Sequence, residues 1–353
     1  PANRPVRSIS IIQDHGGRVD WSPDGNSLVF DRQNADGYFD LYVMTRDGKI
    51  GSRLTEGNSR INQRHNGNPT WHPSGKYIVF QSEEEQHYNV ADQWPPNPGI
   101  GVYSNLYATT PDGAQFWRLT DIRIKQSLAD GLPALGALNP RFSRDGTKLA
   151  WTERFADGGR WGKWRIYHAD FVERAAGPRL ENARVLLQPT GKMGAYMTAL
   201  AFSPDANRLL LAGNLDGQDE FGMDQYIFDL ETRALKNLQN TPDLWEEGAA
   251  WSPDGNRIVY MTNIGSPIDF HNPNWFFQKH TREYWMMSAD GSNKQRLTCF
   301  NVSGAPEYIA QSAIVAASKF SPDGKWLAGV VGVDYGTKEK ANYRLKIALI
   351  EFK

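Results

Sequence analysis

The sequence predicts an all-β chain, a six-bladed β-propeller of four-stranded antiparallel blades whose ring is closed by the N-terminal strand. Three observations carry that expectation. The phrase Trp-Ser-Pro-Asp-Gly-Asn occurs twice verbatim, at Trp21–Asn26 and Trp251–Asn256, and degenerate copies begin at Trp71, Phe142, Phe202 and Phe320. Each copy is followed by two further β-rich runs, so one repeat is one blade. The last unit ends without a fourth strand, while an orphan strand, Val6–Ile12, precedes the first copy.

Within a unit the aromatic residue ends a first strand and Pro-Asp-Gly makes a tight turn. Proline presets φ, aspartate bonds its own backbone and glycine takes the positive φ. Second strands are expected at Asn26–Phe30, Lys76–Phe80, Lys148–Trp151, Arg208–Leu211, Arg257–Tyr260 and Lys325–Val330. Third strands follow at Leu41–Met44, Leu106–Thr109, Arg165–His168, Gln225–Phe228, Tyr284–Met287 and Arg344–Phe352. In three units an Asp-Gly turn leads to an Arg-Leu-Thr closer, at Arg53–Thr55, Arg118–Thr120 and Arg296–Thr298. Pairing Val6–Ile12 with the last blade removes a sheet edge that would otherwise template aggregation.

A length of 353 residues exceeds the usual single core, but a propeller grows by adding blades. The expectation is one propeller domain over residues 1–353, with blades beginning near residues 13, 59, 122, 190, 241 and 300 and residues 5–12 completing the last. Aromatics make up 12% of the chain, which suits sheets packed face to face around a ring. The formal charge of −1 gives no global drive toward nucleic acid or an anionic membrane. The single cysteine, Cys299, excludes an internal disulfide and reads as a small buried apolar residue. No apolar run approaches the roughly 20 residues of a membrane span. A chain that begins at Pro1 rather than Met reads as a mature form whose leader has been removed.

The Ser-Pro-Asp-Gly turns, the Met-x-x-Asp-Gly ends of third strands at Met44 and Met287, and the Arg-Leu-Thr closers together resemble the PD40 (WD40-like) repeats of TolB-type propellers. The resemblance covers essentially the whole chain, without the N-terminal α/β domain that TolB carries. It implies a periplasmic or secreted protein that binds a partner or forms part of a larger assembly. Similar propellers occur in oligogalacturonate lyases and as gating domains of prolyl-oligopeptidase-like enzymes, so the fold alone does not choose among functions.

The interruptions of the repeat are more informative. Nearly all long insertions fall between second and third strands or between blades, on one face: residues 59–68, 82–104, 121–139, 152–163, 214–224, 263–281 and 300–317. The exception is the insertion at 170–182 in the third blade. Loops raised on one side of a rigid scaffold usually recognise something. Two insertions are rich in aromatic residues. His87 and Tyr88 lead into the proline-dense run Gln93–Pro98, expected to be extended and to expose Trp94; Phe270, His271, Trp275, Phe276 and Phe277 form the other cluster. Aromatics beside polar anchors are what protein interfaces are enriched in, and these eight residues are the candidate partner-binding set.

His15, Arg18, Arg64, His65 and His280 fall in connections on the same face and are the candidates for the channel mouth. Their spacing matches no metal motif, since His-Glu-x-x-His and His-x-His are both absent. Asp216, Asp219, Glu220 and Asp224 crowd one loop and make calcium a candidate ion; no cofactor is otherwise expected. There is no Gly-x-Ser-x-Gly elbow, P-loop or haem-attachment motif, and the basic residues are scattered, with Lys338-Glu339-Lys340 a mixed-sign surface. The leading expectation is a non-catalytic, protein-binding subunit or scaffold. The alternatives are a metal-dependent carbohydrate-active enzyme that uses loop histidines, and a calcium-binding ligand sensor.

Overall fold

A computed structural model of the chain describes residues 4–272, 278–309, 312–337 and 342–353. Six four-stranded antiparallel sheets follow one another along it. After β1 (Val6–Gln13), blade one is β2 (Val19–Trp21), β3 (Ser27–Gln33), β4 (Phe39–Thr45) and β5 (Ile50–Arg53). Blade two is β6 (Asn66–Trp71), β7 (Ile78–Glu83), β8 (Ser104–Thr109) and β9 (Phe116–Arg118). Blade three is β10 (Gly136–Phe142), β11 (Lys148–Ala156), β12 (Lys163–Arg174) and β13 (Gly177–Leu187). Blade four is β14 (Met197–Phe202), β15 (Arg208–Gly213), β16 (Asp224–Asp229) and β17 (Leu235–Asn237). Blade five is β18 (Glu246–Trp251), β19 (Arg257–Thr262), β20 (Glu283–Ser288) and β21 (Gln295–Arg296). Blade six is β22 (Ala313–Phe320), β23 (Trp326–Asp334) and β24 (Tyr343–Phe352), completed by β1.

The closure is the expected one. β1 lies antiparallel to β24, with Val6 opposite Phe352, Ile9 opposite Ile350 and Ile11 opposite Ala348. The first strand of every blade packs against the first strands on either side, so β2, β6, β10, β14, β18 and β22 line the axis.

The repeat phrase owes its residues to a local hydrogen-bond set. Ser22 Oγ donates to Asp24 at 2.5 Å and accepts from the Ser27 N–H at 2.9 Å, while Asp24 also accepts from the Asn26 N–H at 3.0 Å. Ser143 with Asp145, Ser203 with Asp205, Ser252 with Asp254 and Ser321 with Asp323 repeat it. The donors converging on each aspartate hold its carboxyl below the ordinary range.

The closer works differently from the expected strand. The fourth strands end at Arg53, Arg118 and Arg296, and the following Leu-Thr forms a latch. Thr55 Oγ1 accepts the Leu41 N–H at 2.9 Å and donates to Asp40 at 2.6 Å. Thr120 does the same for Leu106 and Asn105, and Thr298 for Tyr284 and Glu283. One hydroxyl thus satisfies a backbone donor and a side chain where the third strand enters the sheet. In blade four Gln239 takes over, its Oε1 accepting the Gln225 N–H at 2.6 Å.

Six of the apolar clusters each lie between two neighbouring blades, and two smaller ones lie among the insertions. Val29, Leu41 and Leu54 of blade one meet Trp71, Ile78 and Phe80 of blade two. On its other side Leu28, Phe30, Tyr42 and Met44 meet Ile347 and Leu349 of blade six. The same alternation continues around the ring. Consecutive residues of a strand serve opposite neighbours, because their side chains leave opposite sheet faces.

Two local expectations change. The insertion at 170–182 continues the sheet, β12 and β13 pairing as a long ribbon to Arg174 and Gly177, so no loop stands there. The run Gln93–Pro98 folds into turns instead of extending. Asn97 is the cause: its side chain accepts from the Gly99 N–H at 2.8 Å and donates to the Trp94 carbonyl at 2.7 Å. Cys299 is free and buried, as expected.

The Thr298→Val substitution, nearly isosteric, should strip the buried Tyr284 N–H of its acceptor and cost about 2 kcal/mol. Urea unfolding monitored by tryptophan fluorescence checks this, and a shift under a quarter of that size would show the latch to be dispensable.

Candidate functional site

At the loop-bearing end of the channel, insertions from four blades bring aromatic side chains together over the axis. Trp94 and Ile100 come from blade two, and Leu138, Trp161 and Trp164 from blade three. Tyr196, Phe221 and Met223 come from blade four, and Trp245 and Glu247 from the start of blade five. They line a cavity of about 240 Å³. The rings pack on one another: Trp94 stacks on Trp161 with centroids 5.8 Å apart, Trp161 meets Phe221 edge-on at 5.8 Å, and Phe221 lies 5.2 Å from Trp245. Trp94 forms the lip, 47% exposed.

Glu247 is the acid of this pocket. A bulge in β18 between Glu247 and Ala250 interrupts the ladder next to it, with Gly248 at φ 64°. A Cβ on Gly248 would meet the Ala316 carbonyl at 2.7 Å, so glycine is required there by both conformation and space. Glu247 accepts from Trp245 Nε1 at 3.2 Å, and the Tyr196 phenol shares the pocket with it. Burial raises its carboxyl above the ordinary value and lifts the Tyr196 phenol well above its own. Arg282 and Arg18 act on it only through their fields. Arg282 lies over the Trp245 ring at 3.8 Å and donates to His280 Nε2 at 2.7 and 3.0 Å. His280 donates from Nδ1 to the Gln278 carbonyl at 3.0 Å, and burial lowers its pKa to about 3. It is therefore a neutral acceptor that positions Arg282. Arg160 lies 5.1 Å over Phe221, so this cluster already holds two guanidinium groups on ring faces.

The residues singled out from sequence divide among several places. Trp94 is at the pocket lip. Phe270 is buried beneath it, stacked on Phe221 at 5.5 Å, and His271 is exposed beside it. Trp275, Phe276 and Phe277 lie outside the described residues. His87 is buried, its Nε2 on Glu83 at 2.8 Å and its ring stacked on Tyr103, and Tyr88 lies under Lys125. Arg18 pairs with the buried Asp31 at 3.3 Å, and Arg64 bonds the Tyr38 hydroxyl. His65 bonds the Gln93 carbonyl at 2.9 Å, and His15 is exposed at the β1 end. Arg18, Arg64 and His65 thus gather around Tyr38 and Phe39, while His280 belongs to the Arg282 cluster and His15 stands apart.

The four acidic loop residues also part. Asp216 and Asp224 accept from Asn237 at 2.6 and 2.8 Å, and Asp216 also accepts from the Tyr226 hydroxyl at 2.9 Å. Glu220 accepts the Arg160 N–H at 2.8 Å, and Asp219 faces the Arg160 guanidinium at 3.9 Å. Among the described residues, no three His, Cys, Asp or Glu side chains are placed to hold a metal ion.

Sequence reasoning passed over Glu247, Tyr196, Trp161, Phe221 and Trp245. One signal was present: Glu247 stands four residues before a repeat aromatic, where the other five units carry Gly17, Gly67, Leu138, Thr198 and Ala316. It is the only charged residue at that position, at the loop end of an inner strand.

No protein-family model matches the chain, and no curated protein does. Its architecture is similar to that of TolB and other six-bladed propellers. A TolB-type protein of Agrobacterium tumefaciens superposes with a TM-score of 0.53 at 14% identity, over 96% of this chain and 91% of that one. A gluconolactonase of Xanthomonas campestris gives 0.53 at 11% identity, over 98% and 89%. An oligogalacturonate lyase in complex with manganese gives 0.50 at 11%, over 99% and 92%. Identities this low define the fold class, a six-bladed TolB-like propeller, and nothing finer. No helix among the described residues is long and apolar enough to cross a membrane.

Because burial raises the Glu247 pKa, the folded state binds its proton more readily than the unfolded state, and this group's contribution to stability improves as pH falls. Glu247→Gln should therefore raise the melting temperature at pH 8, with the gain shrinking toward pH 5. A melting series across that range checks it; a loss at pH 8 would mean that the two arginines more than offset the burial.

Proposed function

We propose that the protein is a non-catalytic recognition propeller, a subunit of a periplasmic or secreted assembly that docks a protein partner through its loop-bearing face. The observation that supports this reading is the aromatic pocket itself, assembled over the axis from loops of four blades with an acid at its base. Its volume, about 240 Å³, is below the range of roughly 300–1,000 Å³ usual for small-molecule sites. It suits one inserted side chain. Glu247 favours a basic anchor, arginine or lysine, on the partner, because its carboxylate supplies the countercharge. Tryptophan at the lip and a partner's arginine are the residue types that dominate interface energies.

The test is quantitative affinity capture from the source, followed by titration of the recovered partner. Trp94→Ala should weaken binding by about 2 kcal/mol and Glu247→Gln by a similar amount. Binding through Glu247 should also fade on acidification at a pH above 4.5, its ordinary value, because the raised carboxyl protonates there and loses its charge. A partner bound equally well by the native protein and both variants would remove the pocket from the interface.

A further inference from the structure

The opposite end of the channel holds a second cavity, which shares no lining residue with the loop-face pocket. The residue just before each repeat aromatic lies on the axis: Asp20, Thr70, Arg141, Ala201, Ala250 and Lys319. All six line a cavity of about 400 Å³ at the Pro-Asp-Gly face. Blades four and five contribute only methyl groups, which leaves space, and blades three and six contribute cations from opposite sides of the ring.

Those two cations meet. Arg141 is 5% exposed and donates from Nε to the Leu200 carbonyl at 3.0 Å, from Nη1 to the Pro140 carbonyl at 2.7 Å and from Nη2 to Asn139 Oδ1 at 3.3 Å. Lys319 Nζ reaches the same Leu200 carbonyl at 3.4 Å. Two positive groups thus share one neutral acceptor, and among the described residues neither forms an ion pair with a carboxylate. The one acid in the ring, Asp20, is engaged elsewhere: its Oδ2 accepts from Thr70 Oγ1 at 3.0 Å and the Trp71 N–H at 2.8 Å, and its Oδ1 from the Trp21 N–H at 3.0 Å. Arg144, the remaining charged residue of the cavity wall, donates to the Pro253 carbonyl at the rim. Asp20 offsets the two cations only through its field, buried like charges without a direct carboxylate partner are costly, and an anion placed between them lowers that cost.

We propose that this end of the channel binds a small oxyanion, held between the Lys319 ammonium and the free N–H groups of Arg141, in the space left by Ala201 and Ala250. The alanines admit the ligand, the guanidinium offers a planar pair of donors, and the lysine adds a point charge. Burial, with the repulsion of Arg141 added, lowers the Lys319 amine to about 7, and burial lowers Arg141 to about 10, both against the opposing field of Asp20. An anion reverses this for the lysine, so binding and protonation of Lys319 reinforce each other.

Sulfate is the probe, because its charge is constant across neutral pH. Calorimetric titration of the full chain in constant sodium chloride should show saturable one-to-one binding, tighter at pH 6 than at pH 8. Lys319→Met should weaken it at least tenfold, Lys319→Arg should retain it, and the exposed Lys325→Met should leave it unchanged. If Lys319→Met fails to fold, the native protein still decides the matter: the Lys319 side-chain NMR resonance should titrate near neutrality, and saturating sulfate should move that titration to higher pH. Absence of saturable binding, binding undiminished in Lys319→Met, or a lysine titration indifferent to sulfate would each overturn the proposal.

Discussion

Everything in this molecule depends on each blade burying both of its faces against two neighbours while the ring still closes. A four-stranded sheet with one bare face would expose a full row of Leu, Ile, Val and Phe, so no blade is stable alone. The alternation in β3, where Val29 faces blade two and Leu28 and Phe30 face blade six, repeats around all six interfaces. The last interface forms only when β1 pairs with β24, which joins the two ends of the chain in one sheet. Removing that pairing would open a sheet edge as well as the β1 contribution to the sixth blade.

The polar residues of the repeat follow from this arrangement. Strands buried on both faces have no water to satisfy their ends, so the chain supplies its own donors and acceptors. Ser-Asp turns do so at one face of the ring and Thr latches at the other. The buried Thr298 hydroxyl, bonded to both Tyr284 N–H and Glu283, shows why a serine- or threonine-sized group recurs where an apolar residue would pack equally well. The blade three ribbon, Lys163–Leu187, is a rare place where the sheet grows beyond the ring, and there its surface is held by exposed pairs such as Arg174 and Arg179 with Glu181.

The architecture was legible because its signals are local and repeated: a turn that needs Pro-Asp-Gly reads the same in every unit. The orphan Val6–Ile12 was legible because an open ring leaves one strand unpaired. The conformation of Gln93–Pro98 was not, because proline density is compatible with turns as well as with extension, and the bonds made by Asn97 decide between them. Loop placement indicated the face on which the aromatic pocket lies, and the Trp94 singled out from its neighbours is at its lip. Glu247, Tyr196 and Trp245 were not, since they come from the ordinary blade connections and lie far apart in sequence. Only the register of the inner strand, counted back from Trp251, places Glu247 at the channel mouth. Phe270, placed in the partner-binding set, is instead buried against Phe221, a residue of the pocket lining.

The same register places buried charges at both ends of the channel. Positions one residue before the repeat aromatics put Arg141 and Lys319 at the turn end, and positions four residues before put Glu247 at the loop end. None of these three charges has a close ion-pair partner among the described residues, and burial works against each of them. Alanine already occupies two of the six axial positions before the aromatic, so the ring tolerates small neutral residues there. Closure and interblade packing therefore do not require charges on the axis. A fold indifferent to what its inner strands present toward the centre can hold costly groups there, because the interblade clusters supply stability elsewhere. That separation of scaffold from lining also accounts for the variety among its structural neighbours, in which the shared ring carries no information about the chemistry at its mouth.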